Sequence, residues 1–149
     1  MNASQWVEKN VFGRFLRLHD TIYQKSGGKL GHTIPGMPPN LLLHTIGAKS
    51  GEPRTNTLTY ARDGAAYLIV ASNGGSYRYP SWYHNLRSRP DAEINVGPKR
   101  FRVTWRQVAP ADTDYDRMWQ LVNKNNANRY EAYQRKTSRP ITIFELTPA

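Results

Sequence analysis

The chain has no cysteine in 149 residues, which removes disulfides, thiolate metal sites, iron–sulfur clusters and thiol redox chemistry together. Its four histidines are scattered without HxxxH spacing, so a metal enzyme is not expected. Long apolar runs are missing too. Nothing approaches the ~18 residues of a membrane span, and Glu8, Lys9 and Asn10 interrupt the N-terminus where a signal peptide would be apolar. An intracellular protein is expected. Acidic residues are few: 11 Asp and Glu stand against 21 Lys and Arg, a net charge of +10. An anionic substrate, cofactor or partner follows from that balance. Nucleic acid is the generic candidate for a basic chain. Here the basic residues are dispersed and no helix–turn–helix, zinc-finger or RNP pattern occurs, so no nucleic-acid partner is expected.

What is present is a globular composition, 38% hydrophobic and 11% aromatic, of the length of one domain spanning 1–149. Val7, Val11, Phe15, Leu18 and Ile22 recur at helical spacing beside Lys9, Arg14 and Arg17. Residues 1–37 are therefore read as an amphipathic helix and its linker, and 38–149 as the core. Apolar and β-branched runs predict strands over 41–46, 54–62, 66–71, 93–96, 99–108 and 141–146. Hairpin turns are expected at Asp63-Gly64 and Gly97-Pro98. Phe101, Val103 and Trp105 alternate with Arg100, Arg102, Thr104 and Arg106, giving that strand one apolar and one basic face. Short helices are predicted from Ser81 as cap, from Asp112 or Thr113, and around Tyr130 and Tyr133. The fold class is α+β: a small barrel-like sheet of mostly antiparallel strands surrounded by helices.

Two segments carry chemistry. Gly47-Ala48-Lys49-Ser50-Gly51-Glu52-Pro53-Arg54 puts a lysine, an arginine, a hydroxyl and two glycines into one tight connection. Glycines turn amides inward and the two cations add full charge, which is how a phosphate is held. It is not a Walker A loop: Lys49 precedes the last glycine and the following segment is strand-like. A solvated hairpin loop is the competing reading. The second segment, Ala71-Ser72-Asn73-Gly74-Gly75, leaves an apolar strand and runs towards Trp82-Tyr83-His84-Asn85. Its glycines permit close backbone approach, Ser72 and Asn73 offer donors, and Trp82 offers a ring face to a flat ligand. Core packing competes for Trp82 and is preferred for Tyr83 and Leu86; for His84 a structural role is preferred. Tyr130 and Tyr133 share a helical face with Arg135 and Arg139 close behind, either as core caps or as walls of a substrate pocket.

The ordered set GAKSGEPR, TLTYARDG, IVASNGG, PSWYHNL and YEAYQRKTSRPI resembles the deazaflavin-dependent nitroreductases and coenzyme F420-dependent quinone reductases of actinobacteria, over roughly residues 38–146. The resemblance implies a split β-barrel related to flavin-binding oxidases. It implies coenzyme F420 as cofactor, with phosphate and oligoglutamate tail held by basic residues. Lys49, Ser50, Gly51, Pro53 and Arg54 match the phosphate loop; Ala71, Ser72, Asn73 and Gly74 the loop at the deazaflavin ring; Trp82 and Asn85 the neighbouring helix. The implied activity is hydride transfer from reduced F420 to a quinone or another electron-poor acceptor, an enone or nitroaromatic. Ser72, Tyr130 and Tyr133 are the candidates for stabilising charge on the reduced oxygen. Thr59 and Ala127 stand where nitroimidazole-active relatives tend to show tyrosines, which counts against prodrug-type nitroreduction. FMN or haem on the same barrel is the alternative. The N-terminal helix has two readings, a cover on the barrel or a peripheral contact at the inner face of the cell membrane.

Overall fold

A computed structural model describes residues 14, 17–26 and 38–149. Seven strands form one antiparallel sheet: β1 (Asn40–Ile46), β2 (Pro53–Thr59), β3 (Ala61–Asp63), β4 (Ala66–Val70), β5 (Asp91–Val96), β6 (Lys99–Val108) and β7 (Ile143–Pro148). The sheet order is β2-β1-β5-β6-β7-β4-β3. Its two outermost strands are successive pieces of one extended run, separated by Tyr60 alone. A chain that leaves one edge and reappears at the other bends the sheet round on itself, and this makes it a barrel. The single strand expected over 54–62 is therefore two. At the bend the Tyr60 carbonyl accepts the Asn125 amide at 3.0 Å, and the Tyr60 ring packs edge-on against Tyr67.

Period-two alternation divides the apolar side chains between two cores. Tyr67 and Ile69 of β4, with Ala71 just past it, join Leu41, Leu43, Ile94, Val103, Phe144 and Leu146 inside the barrel. Leu68 and Val70 face the other way, with Val108 and Ile143, and are covered by Met118 and Val122 of α3 (Tyr115–Asn125) and Tyr130 of α4 (Arg129–Gln134). Helix α2 (Ser81–Arg87) adds Trp82, Tyr83 and Leu86 to the barrel interior. Its first helical residue is Ser81, and Pro80 occupies the cap position without a side-chain hydrogen bond. Ser81 is thus not the cap the sequence suggested. Helix α3 begins at Tyr115, later than Asp112 or Thr113; the Asp112 carboxylate instead accepts the Ala109 amide at 2.7 Å in the preceding turn.

The β5–β6 hairpin turns at Gly97-Pro98 as expected, with Val96 opposite Lys99. The β3–β4 turn is displaced by one residue. Asp63 pairs with Ala66, leaving Gly64-Ala65 as the connecting pair, with Gly64 at φ 60°. Strand β6 buries Val103 completely and packs Phe101 and Trp105 against the barrel core. Its basic face is largely paired: Arg100 with Glu93, Arg102 with Asp91, and Arg106 with both Asp114 and Glu145.

The N-terminal helix, α1, is described over 17–25. Val7, Val11 and Phe15 lie outside the described residues. Leu18 and Ile22 are 60% and 41% exposed, whereas Tyr23 is fully buried and donates its hydroxyl to the Asn40 carbonyl at 2.9 Å. The face laid on the barrel is therefore rotated from the one marked by Leu18 and Ile22. No helix among the described residues is long and apolar enough to cross a membrane.

Candidate functional site

The β1–β2 connection is a compact, self-bonded loop. The Gly47 amide donates to the Glu52 carbonyl at 2.8 Å, the Gly51 amide to the Gly47 carbonyl at 2.9 Å, and the Glu52 amide to Ser50 Oγ at 3.2 Å. Ala48 donates to Asn85 Oδ1 of α2 at 2.9 Å. That bond joins the two segments singled out in the sequence. Gly51 takes φ 71°, a left-handed turn for which glycine is suited. A Cβ on Gly47 would meet only the rotatable Ser50 hydroxyl closely, so an alanine there would have to turn the Ser50 side chain away from the Glu52 amide. With the amides at 47, 48, 51 and 52 committed, those of Lys49 and Ser50 have no protein acceptor among the described hydrogen bonds. Two adjacent amides without a protein acceptor, with the Lys49 and Arg54 side chains on the same loop, are groups that could hold an anion.

This loop is one wall of a groove of about 670 Å³. Gly47, Ala48, Lys49, Ser50 and Arg54 face Tyr77, Arg78, Tyr79, Ser81, His84 and Asn85 across it. Three of these residues are fixed cations and none is a carboxylate, though Glu52 reaches Arg54 at 3.4 Å from outside. Arg54 and Asn85 also border a second groove on the outer sheet face, of about 800 Å³, where Pro53 lies. There His44 bonds Asn95 Oδ1 at 2.6 Å and Thr55 Oγ1 at 3.1 Å, and burial holds its imidazole below the usual pKa of 6.5 despite the Asn95 bond.

The 71–75 loop follows β4. Ala71 and Ser72 are buried, and Asn73, Gly74 and Gly75 then form a 3-10 turn with φ of 44°, 62° and 84°. The Asn73 amide group donates to the Arg78 carbonyl at 3.0 Å and closes the loop on the segment that lines the groove. Gly75 lies hard against α4: a Cβ there would be 2.7 Å from the Tyr133 carbonyl oxygen.

The remaining sequence candidates separate. Trp82 is 4% exposed and meets Phe144 edge-on, so it is a core residue and offers the groove no open ring face. Tyr130 is buried among the α3 and α4 side chains, and that burial pushes its phenol up to about 12. Tyr133 is half-buried beside it, its ring 6.3 Å away and steeply inclined. Neither tyrosine lines the 670 Å³ groove. Ala127 sits in the α3–α4 turn at φ 52°.

Sequence reasoning missed Tyr77, Arg78 and Tyr79, although the run Tyr77-Arg78-Tyr79 between a glycine loop and a helix was a legible signal. It assigned His84 a structural role, and His84 does line the groove. It named Arg139 only as following the tyrosine pair and gave it no role. That guanidinium donates to the carbonyls of Ala71 at 3.0 Å, Ser72 at 2.9 Å and Ser76 at 2.9 Å, contacts 63 to 68 residues away in sequence.

A family model described as F420H(2)-dependent quinone reductase covers residues 15–148. The F420H(2)-dependent quinone reductase Rv1261c of Mycobacterium tuberculosis is 63% identical over 147 residues, 99% of each chain. Among solved structures, an F420-H2 dependent reductase, FDR-A, superposes with TM-score 0.64 at 33% identity, covering 72% of this chain and 93% of that one. The haem storage protein HutZ of Vibrio cholerae shares the fold at 13% identity, with TM-score 0.55 over 74% of this chain and 81% of that one. The curled antiparallel sheet is thus a split barrel, and the chain belongs to the F420H(2)-dependent quinone reductase family.

Proposed function

We propose that this chain binds reduced coenzyme F420 with its phosphate at the Lys49–Arg54 loop, extends the coenzyme along the 670 Å³ groove, and uses it to reduce a quinone. The observation that carries the reading is the Lys49–Ser50 pair of free amides, flanked by Lys49, Arg54 and Arg78 in a groove without carboxylates. When bound, a reduced deazaflavin supplies a hydride, and with one proton this converts a quinone to its hydroquinone. The protein's part is to bind, orient and exclude water. Asn85 fixes the anion loop against α2, and Asn73 ties the ring-side turn to Arg78. Among the three residues considered for polarising the acceptor oxygen, Tyr133 is favoured over Tyr130 because it is less buried. Ser72 is buried within its loop.

Titrating F420 against the parent, Lys49→Ala and Arg54→Ala tests the anion site. Each substitution is expected to weaken binding by about 1.5–3 kcal/mol, the range for hydrogen bonds to charged groups. Arg54, half exposed, belongs at the lower end. Parental affinity in both variants at low salt would remove the phosphate assignment.

A peripheral membrane contact is the finer part of the proposal. The exposed Leu18 and Ile22 lie one turn apart on α1 beside exposed Arg14 and Arg17, an amphipathic surface suited to anionic lipid.

A further inference from the structure

Arg139 makes more contacts than a surface arginine needs, and all converge on one wall of the site. Its Nη1 donates to the Ala71 carbonyl, its Nη2 to those of Ser72 and Ser76, and its Nε to Ser76 at 3.3 Å. These carbonyls bracket the 73–75 turn, where three successive residues hold positive φ. The Ser72 carbonyl also accepts the Gly75 amide at 2.9 Å within the turn, and the arginine fork bonds all three carbonyls at once. The same guanidinium lies 4.4 Å from the Tyr79 ring centroid. The Tyr79 ring is stacked on Tyr83 with centroids 3.9 Å apart and planes inclined by 8°. Two partners so close over one centroid must occupy opposite faces. Tyr79, which lines the groove, therefore has neither face free to stack on a ligand and can offer only its edge and hydroxyl.

We infer that Arg139 is a positioning residue for hydride transfer: it locks the 71–76 loop and the Tyr79 ring together, setting the wall against which the coenzyme is aligned. This rests on the functional reading above and deepens it. Arg139 itself does not line the groove; it acts through backbone and through Tyr79. A lysine keeps the charge but not the planar fork, so it cannot bond three carbonyls while stacking on a ring.

The test compares Arg139→Lys with the parent in full-length protein, with Arg139→Met as the harsher variant. In coenzyme-free protein, amide hydrogen exchange across residues 72–79 should accelerate in Arg139→Lys while β1, β5 and β6 keep parental protection. With reduced F420 and a soluble naphthoquinone, kcat should fall at least about tenfold, since small misplacements of reacting groups are costly. Coenzyme affinity, anchored at the Lys49–Arg54 loop, should change less than about threefold. Parental kcat in Arg139→Lys overturns the inference. So does a parallel loss of kcat, affinity and protection throughout the barrel, which would make Arg139 a general stabiliser. Failure of the parent to oxidise reduced F420 strikes the functional reading instead. In that event the exchange experiment still decides whether Arg139 holds the loop.

Discussion

Replacing Gly75 by alanine separates two costs that usually come together. Gly74 and Gly75 both lie at positive φ, 62° and 84°, but their surroundings differ. A Cβ on Gly74 meets nothing within 4 Å; one on Gly75 would stand 2.7 Å from the Tyr133 carbonyl oxygen and 3.1 Å from Lys136 Cβ. Gly74→Ala should therefore cost only the left-handed backbone penalty, about 1 kcal/mol. Gly75→Ala carries a similar penalty and must also displace α4, because a backbone carbonyl cannot rotate aside. Overpacking of that kind adds about 1–3 kcal/mol, for a total of about 2–4 kcal/mol. Urea unfolding of the two variants beside the parent measures the difference. Turnover with reduced F420 should fall in Gly75→Ala as well, with affinity, anchored at the Lys49–Arg54 loop, changed less, since α4 buttresses the loop that Asn73 ties to Arg78. Equal losses in the two variants, or a Gly75→Ala cost below about 0.5 kcal/mol, would refute the close approach of α4 to the turn.

Tyr115→Phe leaves the Ile141 carbonyl without the hydroxyl that donates to it at 2.7 Å and should cost about 1–3 kcal/mol in chemical denaturation. Burial raises the phenols of Tyr23, Tyr115 and Tyr130 to about 12 from 10.0, so the unfolded chain loses these protons first as pH rises. Stability should be intact below pH 10 and fall between 10 and 12 in alkaline unfolding, less steeply in Tyr115→Phe. His44 has the opposite sense. Its folded pKa is held below 6.5, so the unfolded chain binds the proton first and the His44 contribution, full above pH 6.5, declines as pH drops; His44→Gln should flatten that slope in urea titrations. Tyr133→Phe should lower turnover with coenzyme affinity held, and Tyr130→Phe should change it less; equal turnover in both would leave the tyrosines as packing residues. Leu18→Gln with Ile22→Gln should reduce binding to anionic vesicles and spare reduction of short-chain quinones, and a parent with no vesicle affinity at low salt would end the membrane proposal.

Strand β6 was legible because half-buried antiparallel sheet imposes a period of two, which Lys99 to Val108 display; β4 was legible as a short continuous apolar run, buried on both faces. The break at Tyr60 was not. Nothing local distinguishes Thr59-Tyr60-Ala61 from a continuous strand; the bend exists because the barrel must close. The 47–54 connection was legible as a tight glycine turn carrying two cations, since these are local properties of its residue types. Which amides remain free depends on Asn85, 37 residues beyond Ala48. Trp82 was ambiguous because an amphipathic helix and a ligand platform use the same residue, and the burial of α2 against Phe144 decided it. Over the described part of α1 the sequence pattern picked Leu18 and Ile22, which are exposed, and passed over Tyr23, which is buried. The role of Arg139 is not local: its partners Ala71, Ser72 and Ser76 lie 63 to 68 residues earlier, just past β4, and only the pairing of β4 with β7 brings them to it.

The most direct test of the central claim is single-turnover oxidation of reduced F420 by a soluble naphthoquinone, followed through recovery of the oxidised deazaflavin absorbance, with parent protein, with Lys49→Ala/Arg54→Ala and without protein. The account predicts rapid oxidation by the parent and, at coenzyme concentrations that saturate only the parent, a rate in the double variant close to that without protein. Oxidation by the parent no faster than the protein-free reaction, or a double variant indistinguishable from the parent, would contradict it.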